Sequence, residues 1–185
     1  MKKLFLSLTF LMTIFFGFAQ HDQKIYLLVR ADDMGSFHAA NIGCIQSYQE
    51  GIVRSIELMP VCSWFPEAVK ILKENPGCDV GIHLTLTSEW SDVKWRPLTH
   101  CPNLVDKDGY FFPMVWKNND FPPHSSISES NWELGEIEQE LRAQIDLAMR
   151  NVSNITHLSI HMGFDKLDPK IGELVSKLAK EYGFD

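Results

Sequence analysis

The chain has 185 residues, of which 45% are hydrophobic and 22% are charged, and its net charge at pH 7 is −7. An acidic chain is repelled by phosphate backbones, so the composition argues against nucleic acid as a partner. The four cysteines permit disulfides in an exported chain without requiring them.

Residues 1–19 have the pattern of a secretory signal peptide. Two lysines precede an apolar run over residues 4–16, and the small residues Gly17 and Ala19 follow at the positions that a signal peptidase accepts. The run is shorter than the roughly 20 apolar residues that a membrane span needs, and no later stretch approaches that length. We therefore expect cleavage near Ala19, an exported (periplasmic or extracellular) protein without a membrane span, and one domain over residues 20–185.

After this leader, strand patterns alternate with helix patterns. Strands are predicted over residues 24–30, 52–59, 79–86 and 157–162. Helices are predicted over residues 36–50, 66–75, 131–150 and 169–183. Ser36 and Asp168 are the expected N-caps, Pro66 and Pro169 suit a first helical turn, and Gly51 ends the first helix. The alternation predicts an α/β fold with a parallel sheet, either open or closed into a barrel.

The pattern breaks between the third strand and the third helix. Residues 87–130 are rich in Pro, Asp, Asn and aromatic residues, and they are too many for an ordinary connection. We therefore predict a functional insertion over this segment.

Two adjacent carboxylates, Asp32 and Asp33, directly follow the first apolar run. The carboxyl end of a buried strand is where α/β proteins place their chemistry. Helix capping needs only one side chain, and Ser36 already fills that place. The pair therefore predicts a metal site or an acid/base site.

Histidines supply partners for this pair. The period of two over residues 80–86 places His83 on the face opposite the apolar side chains of its strand. His157 and His161 share a face of the fourth strand but lie roughly 13 Å apart, so they cannot reach the same ion. His161 lies at the carboxyl end, on the same side as Asp33, and we interpret His157 as structural.

One carboxylate and two imidazoles at the carboxyl ends of parallel strands match a catalytic divalent-ion site with open positions. Two histidines with satisfied hydrogen bonds in the core are an equally good interpretation from the pattern alone. Zinc suits the ligand set, and a carboxylate with open positions also suits Mg²⁺, Mn²⁺ or Co²⁺.

Five segments of the chain, in order, resemble the YdjC/ChbG-type carbohydrate deacetylases. They are residues 31–35, 51–55, 79–86, 104–111 and 156–161, and the similarity extends over essentially the whole chain after the leader. The resemblance implies a distorted (β/α) barrel of the polysaccharide-deacetylase type. It also implies metal-dependent removal of N-acetyl groups from amino sugars, such as those in chitooligosaccharides. In this family Asp32 would be the general base, and Asp33, His83 and His161 would bind one divalent ion.

The chain departs from the family pattern in two respects. In the family, the fourth strand typically continues as His-x-His-x-His, whereas here Gly163 and Asp165 stand at the two alternating positions after His161. The alternating position before it, which is acidic in the family, is Ser159. Family members also run beyond Asp185, so we expect a barrel that is incomplete at the C-terminus. Unpaired edges on the first and fourth strands would favour association, for example as a homo-oligomer.

Aromatic residues of the insertion could stack on sugar rings or could form a local core under the loop. The strongest candidates for substrate binding are Trp90, Trp95 and Trp116. Two functional hypotheses follow: an exported metal-dependent deacetylase acting on acetylated amino sugars or oligosaccharides, or a non-catalytic carbohydrate-binding relative or inactive fragment of such an enzyme. A phosphoesterase on a similar barrel is a weaker third hypothesis, because the extra ligands of a two-metal site are missing from the pattern.

Overall fold

A sheet of four parallel strands forms the centre of the computed structural model, which describes residues 25–184. The strands are β1 (Val29–Met34), β2 (Val53–Leu58), β3 (Asp79–Leu84) and β4 (Ile155–Ile160), and they lie side by side in chain order. The helices are α1 (His38–Gln49), α2 (Phe65–Glu74), α3 (Leu134–Asn151) and α4 (Pro169–Glu181). This arrangement confirms the predicted α/β class. Closure of the sheet into a barrel stays a prediction.

The two faces of the sheet differ in polarity. One face carries the apolar side chains of the central strands, such as Ile56, Leu58, Ile82 and Leu84, all of which are fully buried. Helices α1 and α2 cover the β1–β2 half of this face, and α3, α4 and the long segment cover the β3–β4 half. The opposite face carries short or polar side chains, and the candidate site lies there. The residues on this polar face are Ser55, Glu57, Gly81, His83, His157 and Ser159.

The predicted first strand was placed too early. The structure begins β1 at Val29, and residues 25–28 before it are apolar but exposed. Strand formation needs a hydrogen-bonding partner, and the pairing of β1 with β2 starts only at the pair Val29 and Val53. As a result Asp32 and Asp33 lie inside the strand rather than in the loop after it.

Ser36 is not the N-cap of α1. The helix begins at His38 with Phe37 in the cap position, which makes no side-chain capping bond. The Ser36 hydroxyl instead donates to the carbonyl of Asp33 at 2.7 Å and closes the turn after β1. The cap predicted at Asp168 is confirmed, because its side chain accepts from the backbone N–H of Lys170.

The long segment between β3 and α3 packs onto the body of the protein. It contains two short 3₁₀ helices, Pro102–Leu104 and Ile127–Glu129, and its side chains Leu104 and Phe111 are fully buried. All four cysteines are buried free thiols, so the permitted disulfides do not form. The predicted leader over residues 1–19 lies outside the described residues. Across residues 25–184 no helix combines the length and the apolar character needed to cross a membrane.

Candidate metal centre

Asp33 lies in a β-bulge of β1. Ala31 and Met34 pair with residues two apart on β2, so Asp32 and Asp33 together occupy the place of a single residue. Asp33 has a φ of 67°, a left-handed conformation that Asp adopts more readily than most side chains. A bulge redirects the side chains that it contains. Here it turns the carboxylate of Asp33 towards β3 and β4.

The turn after the bulge is anchored by Asn41, a fully buried residue of α1. Its Oδ1 accepts the backbone N–H of Gly35 at 2.7 Å, and its amide donates to the carbonyl of Trp64. Gly35 has a φ of 106°, and a Cβ there would lie 2.8 Å from the carbonyl oxygen of Met59, so only glycine fits. Sequence reasoning did not identify Asn41, because a polar residue on a helix carries no local signal of a distant turn.

The structure brings Asp33, His83 and His161 together. Nε2 of His83 lies 3.4 Å from Oδ1 of Asp33, and Nδ1 of His161 lies 3.2 Å from the same oxygen. One potential ligand atom from each residue lies within 4.8 Å of the other two. The three residues come from β1, β3 and the turn after β4, at the carboxyl end of the sheet.

One oxygen of the Asp33 carboxylate, Oδ1, makes no hydrogen bond. This oxygen is buried, and neither imidazole contact has hydrogen-bond geometry. Burial opposes the charge of this carboxylate, but the contacts with His161 and His83 outweigh burial and lower its pKa. A buried, ionised oxygen without a donor is costly. This oxygen is therefore placed to bind a cation.

The two imidazoles differ in charge. Burial and the neighbouring His161 lower the pKa of His83 to about 4, so His83 is neutral at pH 7. Burial also opposes protonation of His161, but its contacts with Asp33 and Glu89 outweigh burial and raise its pKa to about 9. One carboxylate and two imidazoles with ligand atoms this close together fit a divalent ion such as Zn²⁺, Mg²⁺, Mn²⁺ or Co²⁺.

Glu89, which sequence reasoning missed, contacts the far side of His161. Its Oε2 lies 3.1 Å from Nε2 of His161, which leaves Nδ1 directed at Asp33. Carboxylates commonly orient metal-binding histidines in this way. Glu89 follows β3 in an irregular segment, where no periodic pattern points to a contact with the turn after β4.

Asp32 lies beside the triad on the exposed side of the bulge. Its Oδ1 forms an ion pair with Nε of Arg30 at 3.1 Å. Asp32 and Asp33 line a cleft of about 390 Å³, together with Phe37 and Trp90. His83 and His161 do not line this cleft, so the cleft meets the triad at Asp33.

The three tryptophans of the insertion differ in accessibility. Trp90 packs against Phe37 with ring centroids 4.8 Å apart and lines the cleft beside Asp32. Trp116 is 45% exposed and lies beside Gly163, in the turn after His161. Trp95 is only 3% exposed, and its indole N–H donates to the carbonyl of Thr87. Trp90 and Trp116 are thus partly exposed, whereas Trp95 belongs to the buried core under the site.

His157 does not reach the triad. Its Nε2 lies 3.0 Å from Oε1 of Glu57, and its Nδ1 lies 2.8 Å from the hydroxyl of Thr156. These contacts agree with its interpretation as a structural histidine.

The sequence profile of the YdjC-like protein family matches residues 26–185. The chain belongs to this family. A carbohydrate deacetylase of Listeria welshimeri is 34% identical over 158 residues, which are 85% of this chain and 58% of that protein. A carbohydrate deacetylase of Vibrio parahaemolyticus is 29% identical over 158 residues, which are 84% of this chain and 56% of that protein.

The fold has a solved counterpart. A crystal structure from Enterococcus faecalis, described as a candidate cellobiose-phosphate cleavage protein, superposes with a TM-score of 0.69 at 27% identity. The match covers 85% of this chain and 56% of that chain. This YdjC-like chain therefore spans a little over half the length of the relatives it matches.

Proposed function

We propose that this YdjC-like chain contributes the metal centre of a deacetylase that removes N-acetyl groups from amino sugars, such as those in chitooligosaccharides. The observation that carries the proposal is the convergence of Asp33, His83 and His161 around a buried carboxylate oxygen without a donor. The names of the curated relatives support carbohydrate deacetylation.

The triad would hold one divalent ion. Such an ion acts as a Lewis acid on an amide carbonyl and makes a water molecule more acidic. Asp33 supplies the negative charge of the site, and His83 and His161 supply nitrogen ligands. Three protein ligands leave positions open for substrate, as catalytic rather than structural sites do.

Asp32 would be the general base. Its carboxylate borders the cleft but lies outside the triad, so it is free to take a proton from a water molecule. The water oxygen then forms a bond to the acetyl carbonyl carbon, and the C–N bond breaks. The proton held by Asp32 can pass to the leaving amine, so that acetate and the free amino sugar result.

The substrate would lie in the cleft between Asp32 and the insertion. Aromatic faces bind the apolar faces of sugar rings, and Trp90, which lines the cleft, and Trp116, which lies beside Gly163, are partly exposed aromatic residues that would serve here. An acetylated amino sugar placed there would present its acetyl group to the Asp33 side of the cleft.

Acetate release tests the proposal. The chain is loaded in turn with Zn²⁺, Mg²⁺, Mn²⁺ and Co²⁺ and incubated with N-acetylglucosamine and its oligosaccharides. We expect acetate with at least one ion and none after EDTA treatment. A chain that binds the ion and a chitooligosaccharide but releases no acetate would instead be the carbohydrate-binding relative.

A further inference from the structure

Glu57 is a charged residue that the proposed reaction does not use. It lies on β2, its side chain is completely buried, and it faces the polar side of the sheet. Its Oε1 contacts His157 at 3.0 Å and accepts from the Ser55 hydroxyl at 3.2 Å, while its Oε2 accepts from the Ser159 hydroxyl. Burial of a carboxylate has a high desolvation cost, so we expect its contacts to have a role.

Glu57 of β2 contacts residues of β4 across the intervening strand β3. Glu57 pairs with Gly81 on β3, and Gly81 pairs with His157 on β4. A Cβ on Gly81 would overlap Oε2 of Glu57 and Nε2 of His157. The missing side chain in the middle strand therefore makes room for groups of β2 and β4 to meet.

The next pair along the same face connects this cluster to the triad. Ser159 pairs with His83, and Nδ1 of His83 lies 2.7 Å from the Ser159 hydroxyl oxygen. A serine hydroxyl has one proton. Because that proton is donated to Oε2 of Glu57, the hydroxyl oxygen must accept from His83, so Nδ1 of His83 carries the proton. In a neutral imidazole, Nε2 then presents its lone pair towards Asp33.

We propose that Glu57 is a positioning residue, which acts through Ser159 to hold His83 in the tautomer that binds the metal ion. This inference rests on the proposed metal centre. Glu57 fixes the direction of one hydroxyl proton, and the hydroxyl fixes the proton of His83. Without Glu57 the Ser159 hydroxyl is free to donate to Nδ1, and the proton of His83 moves to the nitrogen that faces the ion.

Two measurements on the chain test this hydrogen-bond relay, which runs from Glu57 through Ser159 to His83. The tautomer of His83 is read in the metal-free protein from its ¹⁵N chemical shifts and long-range couplings. The dissociation constant for Zn²⁺ is measured by competition with a chromophoric chelator. The variants are Glu57→Met, which removes both acceptor oxygens at similar length, and Ser159→Ala, which removes only the hydroxyl.

We expect His83 to be protonated on Nδ1 in the unchanged chain and on Nε2 in both variants. Zn²⁺ binding should weaken by about 10–100-fold in each, which is typical for loss of a group that orients a metal ligand. The double variant should be no weaker than either single variant, because both changes break the same path. If Glu57→Met fails to fold, Ser159→Ala alone decides the outcome.

Ser55→Ala is the matched control. It removes another buried hydroxyl bonded to Glu57, but one that is not on the path to His83. In this variant the tautomer of His83 and the affinity for Zn²⁺ should both be unchanged. The relay is refuted if the unchanged chain has His83 protonated on Nε2, or if a folded Glu57→Met or Ser159→Ala protein keeps the proton of His83 on Nδ1. A chain that binds no Zn²⁺ refutes the metal centre instead, while the tautomer in the metal-free protein still decides the relay.

Discussion

At the scale of single residues, the proposed ion binding depends on the buried Oδ1 of Asp33, which lies between two imidazoles and makes no hydrogen bond. We expect Asp33→Ala, His83→Ala and His161→Ala each to abolish tight divalent binding, because each removes one of three ligands. Equilibrium dialysis with metal analysis measures the bound ion. His38→Ala, which removes an exposed histidine paired with Glu67, is the control and should bind normally. Stoichiometric metal in the His83→Ala and His161→Ala proteins would contradict the site.

The two adjacent carboxylates should have separable roles. Asp32→Asn should keep the metal and lose about 10²–10⁴-fold in the rate of acetate release, the usual contribution of a general base. Asp33→Asn should lose both the metal and the activity, because an amide oxygen without charge is a poorer ligand. Metal content and acetate release are measured on the same two proteins. Indistinguishable results for the two variants would reject the separate roles of Asp32 as general base and Asp33 as metal ligand.

Metal affinity should rise with pH because of His161. Its raised pKa of about 9 means that Nδ1 carries a proton at pH 7, and an ion must displace that proton. His83, with its pKa lowered to about 4, has no proton to release. The apparent association constant should therefore increase by about tenfold per pH unit from pH 6 to 8 and level off above pH 9. Calorimetry in buffers of different ionisation enthalpy should show about one proton released per ion at pH 7.

At the scale of elements, β3 contains a glycine opposite two polar groups, the buried Glu57 and the partly exposed His157. Gly81→Ala should destabilise the fold by about 1–3 kcal/mol, the usual cost of overpacking, because its Cβ overlaps Glu57 and His157. Urea unfolding measures the change in the free energy of unfolding. Gly43→Ala is the control, since it lies in α1 with no atom within 4 Å of the new Cβ, and it should stabilise by about 0.5–1 kcal/mol. Equal changes in the free energy of unfolding for the two variants would contradict the contact of Glu57 with His157 over Gly81.

At the scale of the whole molecule, the proposed ion connects separate parts of the sheet. Its ligands come from β1, from β3 and from the turn after β4, so only the folded chain can bind it with three groups. At an ion concentration of 100 times Kd the fold should gain about 2.7 kcal/mol. For a chain of this size that gain corresponds to a rise in Tm of about 5–10 °C. A thermal melt with and without Zn²⁺ measures the shift, and His83→Ala should abolish it.

The sequence by itself determined the α/β class, most strand and helix positions, and the meeting of Asp33, His83 and His161 at one end of the sheet. These features follow from local signals: the period of two along β3, the Asp168–Pro169 start of α4, and the shared carboxyl edge of parallel strands. Each of them is encoded within a few consecutive residues.

Only the tertiary structure decided where β1 begins, that Asp33 lies in a bulge, and that Trp95 is buried while Trp90 borders the cleft. It also decided that Glu57 contacts His157 and that Glu89 contacts His161. The physical reason is that each of these features depends on a partner distant in the chain. The bulge is set by the register of β1 against β2, and the reach of Glu57 depends on the absence of a side chain at Gly81. No run of neighbouring residues contains that information, so it arises only when the strands pair.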